Sequence, residues 1–165
     1  MRIEKAVIEH ADIIGQVHSE AWKQTYEGIF LEEFLREDTV EKRKQEFIES
    51  FSNKDCLYYV IYEDVTPVGI VKIVEEVDAY EIASFYILEK YRNKGYGKQT
   101  VEYLKKELIP KRIRLWVLKD NAKAIKFYET NRFAFSGNTR LIDRGRSYVQ
   151  LQYECIYDIC NLQVC

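Results

Sequence analysis

Apolar positions along the chain change period several times, and each change marks an element. Ile14, Val17 and Ala21 recur at helical spacing and predict a helix over 11–26, preceded by a short strand over 3–8. Asp38 followed by Glu41 has the spacing of a capping box, and Val40, Phe47, Ile48 and Phe51 then supply the stripe of a second helix ending near residue 52. The nearly unbroken apolar run 56–62 predicts a buried strand, 63–67 a hairpin turn and 68–74 the returning strand. A further strand over 81–88 runs into a glycine-containing turn. The helix that follows has Gly97, Val101, Leu104 and Leu108 on one face and Pro110 as its far limit. A strand over 112–118, a short helix from Asn121 to about residue 130 and two closing strands complete the pattern. In the last strand Val149, Leu151, Tyr153 and Cys155 share one face, and Gln150, Gln152 and Glu154 the other. The sum is a mixed α/β sheet of about seven strands with helices on both faces.

Length and composition narrow this to one compact domain over 1–165. No repeat or Pro/Ser-rich linker divides the chain, and 47% hydrophobic with 32% charged residues is a globular composition. With no apolar stretch of leader or membrane-spanning length, the expected setting is the cytoplasm, without a membrane partner. Cys56, Cys155, Cys160 and Cys165 lack C-x-x-C spacing and are expected as free thiols, and His10 and His18 have no partner at ligand spacing, so no metal is expected.

Charge adds something the periodicity does not contain. The net charge is only −2, but residues 90–126 carry twelve Lys/Arg against three Asp/Glu. Such a block attracts an anion. The rest of the chain is acidic and would repel a nucleic-acid backbone, so a compact polyphosphate is the better fit. Gly95 and Gly97, after a strand and at the start of a helix, let backbone N–H groups converge where the helix carries about half a positive charge. Arg92, Lys94 and Lys98 surround that turn. A dinucleotide fingerprint would need glycine at Thr100, and a P-loop would need Ser or Thr at Gln99, so both are excluded.

The run Arg92-Asn93-Lys94-Gly95-Tyr96-Gly97 resembles the Gln/Arg-x-x-Gly-x-Gly/Ala signature of the GNAT family of N-acetyltransferases. Phe85-Tyr86-Ile87-Leu88 is similar to that family's cofactor-pairing strand. Asn121-Ala122-Lys123-Ala124-Ile125-Lys126-Phe127-Tyr128, trailed by Asn131-Arg132-Phe133, resembles its second motif, with Arg132 standing where a glycine is usual. The resemblance implies a mostly antiparallel sheet with a V-shaped split between the fourth and fifth strands, and acetyl-CoA as cosubstrate. It implies that Tyr86, Ile87 and Leu88 pair with pantetheine, that Arg92, Asn93, Lys94, Gly95, Tyr96, Gly97 and Lys98 hold the pyrophosphate, and that Asn121, Lys123 and Tyr128 belong to the cofactor site. Tyr128 is implied as general acid toward the departing sulfur and the Ile87 N–H as stabiliser of the carbonyl oxygen.

An alkylamine is protonated near neutral pH, since its pKa is about 10, so a base is needed. Glu81, eleven residues before Arg92, is close to the register at which histone-modifying members carry their glutamate; a water chain is the alternative. Residues 18–39 hold six acids against two bases, which would draw a cationic acceptor, and Trp22 and Tyr26 would offer it aromatic faces. The expected acceptor is a primary amine of a small cationic molecule, attacked directly in a ternary complex. Alternatives are a protein amine and a catalytically silent acetyl-CoA-binding module; nucleic acid is not an expected partner. Monomer and homodimer both remain open, the apolar residues Leu162-Gln163-Val164-Cys165 being able to extend a partner's sheet.

Overall fold

The computed structural model describes residues 1–108 and 112–155. One seven-stranded sheet runs in the order β1-β2-β3-β4-β5-β7-β6, from β1 (Arg2–Lys5), β2 (Cys56–Glu63), β3 (Thr66–Glu75), β4 (Ala79–Ile87), β5 (Arg112–Leu118), β6 (Ala134–Asp143) and β7 (Ser147–Cys155). Every pairing is antiparallel except β4 with β5. The helices are α1 (Ala11–Tyr26), α2 (Glu32–Arg36), α3 (Val40–Phe51), α4 (Tyr96–Glu107) and α5 (Ala122–Thr130). Neighbouring residues of a strand face opposite sides. Tyr58 meets Phe47 of α3 while Tyr59 meets Tyr103 of α4, so these two helices cover opposite faces. That double cover explains the unbroken apolar run in β2, where Tyr58, Tyr59, Val60, Ile61 and Tyr62 are all buried.

The parallel β4–β5 pairing lasts only from Ala79↔Arg112 to Ile82↔Leu115. On β4 the register then slips against β3, Ser84 pairing with Lys72 and Ile82 with Ile73, which leaves Ala83 as an extra residue. A bulge bends its strand. Beyond it β4 stays with β3, while Trp116, Val117 and Leu118 of β5 pair with β7. The expected V-shaped split is therefore present, opened by one inserted residue.

Several local expectations need correction. The first strand ends at Lys5, because residues 8–10 form a short 3-10 turn tied by the Val7 N–H donating to His10 Nδ1 at 2.9 Å. The cap of α3 is Thr39, whose hydroxyl accepts from the Lys42 N–H, and Asp38 instead turns inward to Arg43. Val40 and Phe51 are largely exposed, so Phe47 alone of that stripe is fully buried. Helix α2 lies in what the sequence presented as a loop; its Arg36 reaches back one turn to Glu32. Pro110, Cys160, Cys165 and the segment 162–165 lie outside the described residues. Cys56 and Cys155 are free thiols. Among the described residues no helix is long and apolar enough to cross a membrane, and no group of His, Cys, Asp and Glu side chains is arranged to hold a metal.

Arg132, the departure from the family's glycine, sits at φ 66° just past α5. The left-handed turn is kept, at a steric cost of about 1 kcal/mol for a side chain. Arg132→Gly should therefore raise stability by roughly 1 kcal/mol in chemical denaturation.

Candidate active site

The split opens into a cleft of about 600 Å³, floored by β4 and walled by α1, the α2–α3 corner, α5 and β6. One end is lined by Tyr26, Tyr86 and Tyr128. Tyr26 and Tyr86 hydroxyls lie 3.4 Å apart, and Tyr86 stacks on His18 at 5.2 Å. Tyr128 is held from α5 by ring contacts with Phe127 and Phe133, and its hydroxyl has no hydrogen-bond partner among the described residues. Burial, reinforced by Tyr26, raises the Tyr128 pKa far above its usual range, so it carries its proton at any physiological pH.

Backbone groups supply the second half of the site. Leu88 donates to the Val68 carbonyl, and antiparallel alternation then turns the Ile87 N–H away from β3 and toward the split. Downstream, Asn93 at φ 61° and Gly95 at φ 86° break the chain's direction before α4 begins. The first amide of that segment with an internal acceptor is Gln99, which donates to Gly95 O. The N–H groups of residues 93–98 have none among the described residues, and no side chain caps the helix. A run of unpaired amides at a helix N-terminus fits a pyrophosphate. Gly97 has a further reason: a Cβ there would stand 2.9 Å from the Phe127 ring, so its absence lets α5, and with it Tyr128, pack against α4.

The basic side chains around this turn divide in purpose. Arg92 does not face the turn's amides; its Nε donates to Ile87 O at 2.9 Å and its Nη2 to Thr25 Oγ1 at 3.0 Å, which fastens α1 to the end of β4. Lys94 pairs with Glu63 at 3.7 Å, and the Tyr96 hydroxyl donates to the same carboxylate. Lys98 is exposed, with only a 3.9 Å pairing to Glu102. Lys123 is exposed on α5, away from the cleft, whereas Asn121 lines it and caps α5 by accepting from the Ala124 N–H.

Glu81 lines the cleft one residue before the β4–β5 pairing ends, and no hydrogen bond or ion pair engages it among the described residues. Trp22 and Tyr26 also line the cleft, and at the same time pack with Phe30 and Phe34 in a second apolar cluster; one Trp22 face already carries the Arg43 guanidinium at 5.3 Å. Of the six acids in 18–39 only Glu37 and Asp38 reach the cleft. Sequence reasoning missed a chain of charges beneath it: Asp38 to Arg43, Arg43 to Glu46, and Glu46 to Lys72. It also missed Arg140 and Arg144 of the β6 side, which line the mouth.

His18, 2% exposed on the α1 wall of the cleft, has its pKa lowered to about 3, chiefly by burial and next by Arg43. A buried neutral imidazole binds a proton more weakly folded than unfolded. Stability should thus decline as pH falls from about 6.5 toward about 3. His18→Phe should flatten that decline in pH-dependent unfolding; an unchanged slope would locate the acid sensitivity elsewhere.

Comparisons with known proteins give the family and the fold. The sequence model of the Acetyltransferase (GNAT) family matches residues 17–135. A spermidine N(1)-acetyltransferase of Thermoplasma acidophilum is 31% identical over 141 residues, covering 81% of this chain and 88% of that protein. The crystal structure of the PaiA N-acetyltransferase of Thermoplasma acidophilum in complex with coenzyme A superposes with TM-score 0.71 at 28% identity, over 95% of this chain and all of that one (100%). The smu.2055 protein of Streptococcus mutans shares the fold, with TM-score 0.73 at 17% identity over 93% of this chain and 98% of its own.

Proposed function

Since the chain belongs to the GNAT acetyltransferase family and is an N-acetyltransferase using acetyl-CoA, we propose that it acetylates a primary amine of a small cationic molecule of the polyamine class, by direct attack in a ternary complex. The observation that carries this reading is the partnerless, protonated Tyr128 hydroxyl beside the unpaired edge of β4. The activity named for the 31% identical relative supports the acceptor class.

In this mechanism the pyrophosphate rests on the N–H groups of residues 93–98, with Lys94 and Lys98 outside it. The pantetheine arm lies along Tyr86, Ile87 and Leu88, which brings the thioester to the split. The acceptor nitrogen attacks the carbonyl carbon, and the Ile87 N–H meets the charge that develops on oxygen. The C–S bond then breaks as Tyr128 gives its proton to the sulfur, and the nitrogen, cationic after attack, releases its second proton through solvent to the Tyr128 phenolate, leaving the neutral amide and the thiol. Glu81 takes the proton from the ammonium before attack. Trp22 and Tyr26 form the wall against which the acceptor's carbon chain lies. Arg92 serves by position, holding α1 to the strand end, and Asn121 by capping α5.

Arg140 and Arg144 at the mouth favour a second reading, an amine whose molecule also carries a carboxylate or phosphate. One panel separates the readings. Thiol release from acetyl-CoA is measured with linear polyamines, with amino acids and with a lysine peptide. Turnover of polyamines at a kcat/KM about tenfold or more above the others is the expected result. Preference for amino acids selects the second reading. Heat of acetyl-CoA binding without thiol release from any amine would make the protein a silent binding module.

A further inference from the structure

We infer that Asp38 is the seat of a second, non-reacting ammonium group of the acceptor, so that the cleft selects molecules with two amines. This rests on reading the cleft as the acceptor pocket. Asp38 is 2% exposed, lines the cleft, and has one oxygen satisfied: Oδ2 accepts from Arg43 Nε at 2.6 Å and is in ion-pair contact with Nη2. Oδ1 has no partner, and it is the one buried side-chain polar atom without one among the described residues.

The form of the Asp38–Arg43 pair makes that orphan informative. Arg and a carboxylate ordinarily meet fork to fork, with one N–H to each oxygen. Here Nε donates to Oδ2, Nη2 lies against that same oxygen, and the remaining terminal nitrogen, Nη1, turns to Glu46 at 2.8 Å. Lys72 is likewise committed to Glu46, at 3.1 Å, and Lys42, also at the cleft, makes no ion pair with Asp38. A buried carboxylate oxygen left without a donor is costly, and native structures rarely tolerate one. Asp38 lines the cleft, so a donor arriving there needs only a small side-chain shift to satisfy Oδ1, and a carboxylate favours one that is positively charged. Trp22 and Phe34 line the same space and suit a methylene chain between the two nitrogens. The reacting amine lies at the split and the other at Asp38, so a diamine or polyamine meets both ends where a monoamine meets one.

The test is calorimetric binding to protein saturated with coenzyme A, using diaminobutane with terminal amines against butylamine. Wild type should bind the diamine about 10- to 100-fold more tightly, and Asp38→Asn should bring that ratio close to one. Equal affinities in wild type would overturn the inference without any variant, which covers the case of a variant that does not fold. An equal loss for both amines in Asp38→Asn would assign Asp38 to holding Arg43 alone and likewise overturn it. The panel above fails or succeeds separately. Diamine preference without polyamine turnover sinks the proposed reaction and leaves the seat standing; turnover without preference sinks the seat.

Discussion

Tyr128→Phe should lower kcat by about 100-fold or more, with acetyl-CoA affinity changed by no more than about twofold. The split between these two effects follows from where the hydroxyl lies. The ring makes the packing contacts with Phe127 and Phe133, and Phe keeps them. The hydroxyl has no hydrogen-bond partner among the described residues, so its removal leaves no orphan there and should not reduce stability. In the proposed reaction it acts when the sulfur acquires charge: burial keeps the phenol protonated, and a proton donor placed at the leaving group lowers the barrier only at that moment. Stopped-flow release of thiol, with calorimetry of acetyl-CoA binding alongside, reads both quantities. A fall in affinity with kcat preserved would make Tyr128 a wall of the cofactor site and transfer the acid role to solvent.

The proposed cofactor half of the site is legible in the sequence because it is built from neighbours. Strand, turn and helix over residues 81–108 are local, and the requirement for glycine at 95 shows as a positive φ. Gly97 carries two reasons: the sequence suggests backbone approach to a phosphate, and the structure adds the Phe127 ring pressed against it. Arg92 shows the limit of charge counting. It contributes to the basic block, yet its guanidinium bonds to Ile87 O, Thr25 and Ala21 O on elements more than sixty residues apart in part, a pairing no spacing announces. The proposed acceptor half is illegible for the same physical reason. Asp38, Arg43, Glu46 and Lys72 come from the α2–α3 corner, α3 and β3, and only the folded sheet sets Lys72 under α3. Asp38 even carried a misleading local signal, since its spacing to Glu41 imitates a cap that Thr39 supplies. The acids of 18–39 were read as one patch, and the helices disperse all but Glu37 and Asp38 away from the cleft.

That same chain of charges sets the largest expected loss of stability. Arg43→Met should destabilise the fold by about 3–5 kcal/mol, because it removes one partner of a buried pair and leaves the other charged. The Asp38 side chain is 3% exposed and the Arg43 side chain 16%, so water replaces little of what is lost. Glu46 retains Lys72, which confines most of the cost to Asp38. For a domain of this size the melting temperature should fall by roughly 10 °C. Arg43→Met combined with Asp38→Asn should recover a large part of it, since an amide without a partner is cheaper to bury than a carboxylate. The double-mutant cycle makes the cause visible: a coupling of about 2 kcal/mol or more places the penalty in the stranded carboxylate. Additive losses would instead place it in the packing of the Arg43 stem on Trp22, and the Asp38–Arg43 pair would then be incidental to the stability of the acceptor wall.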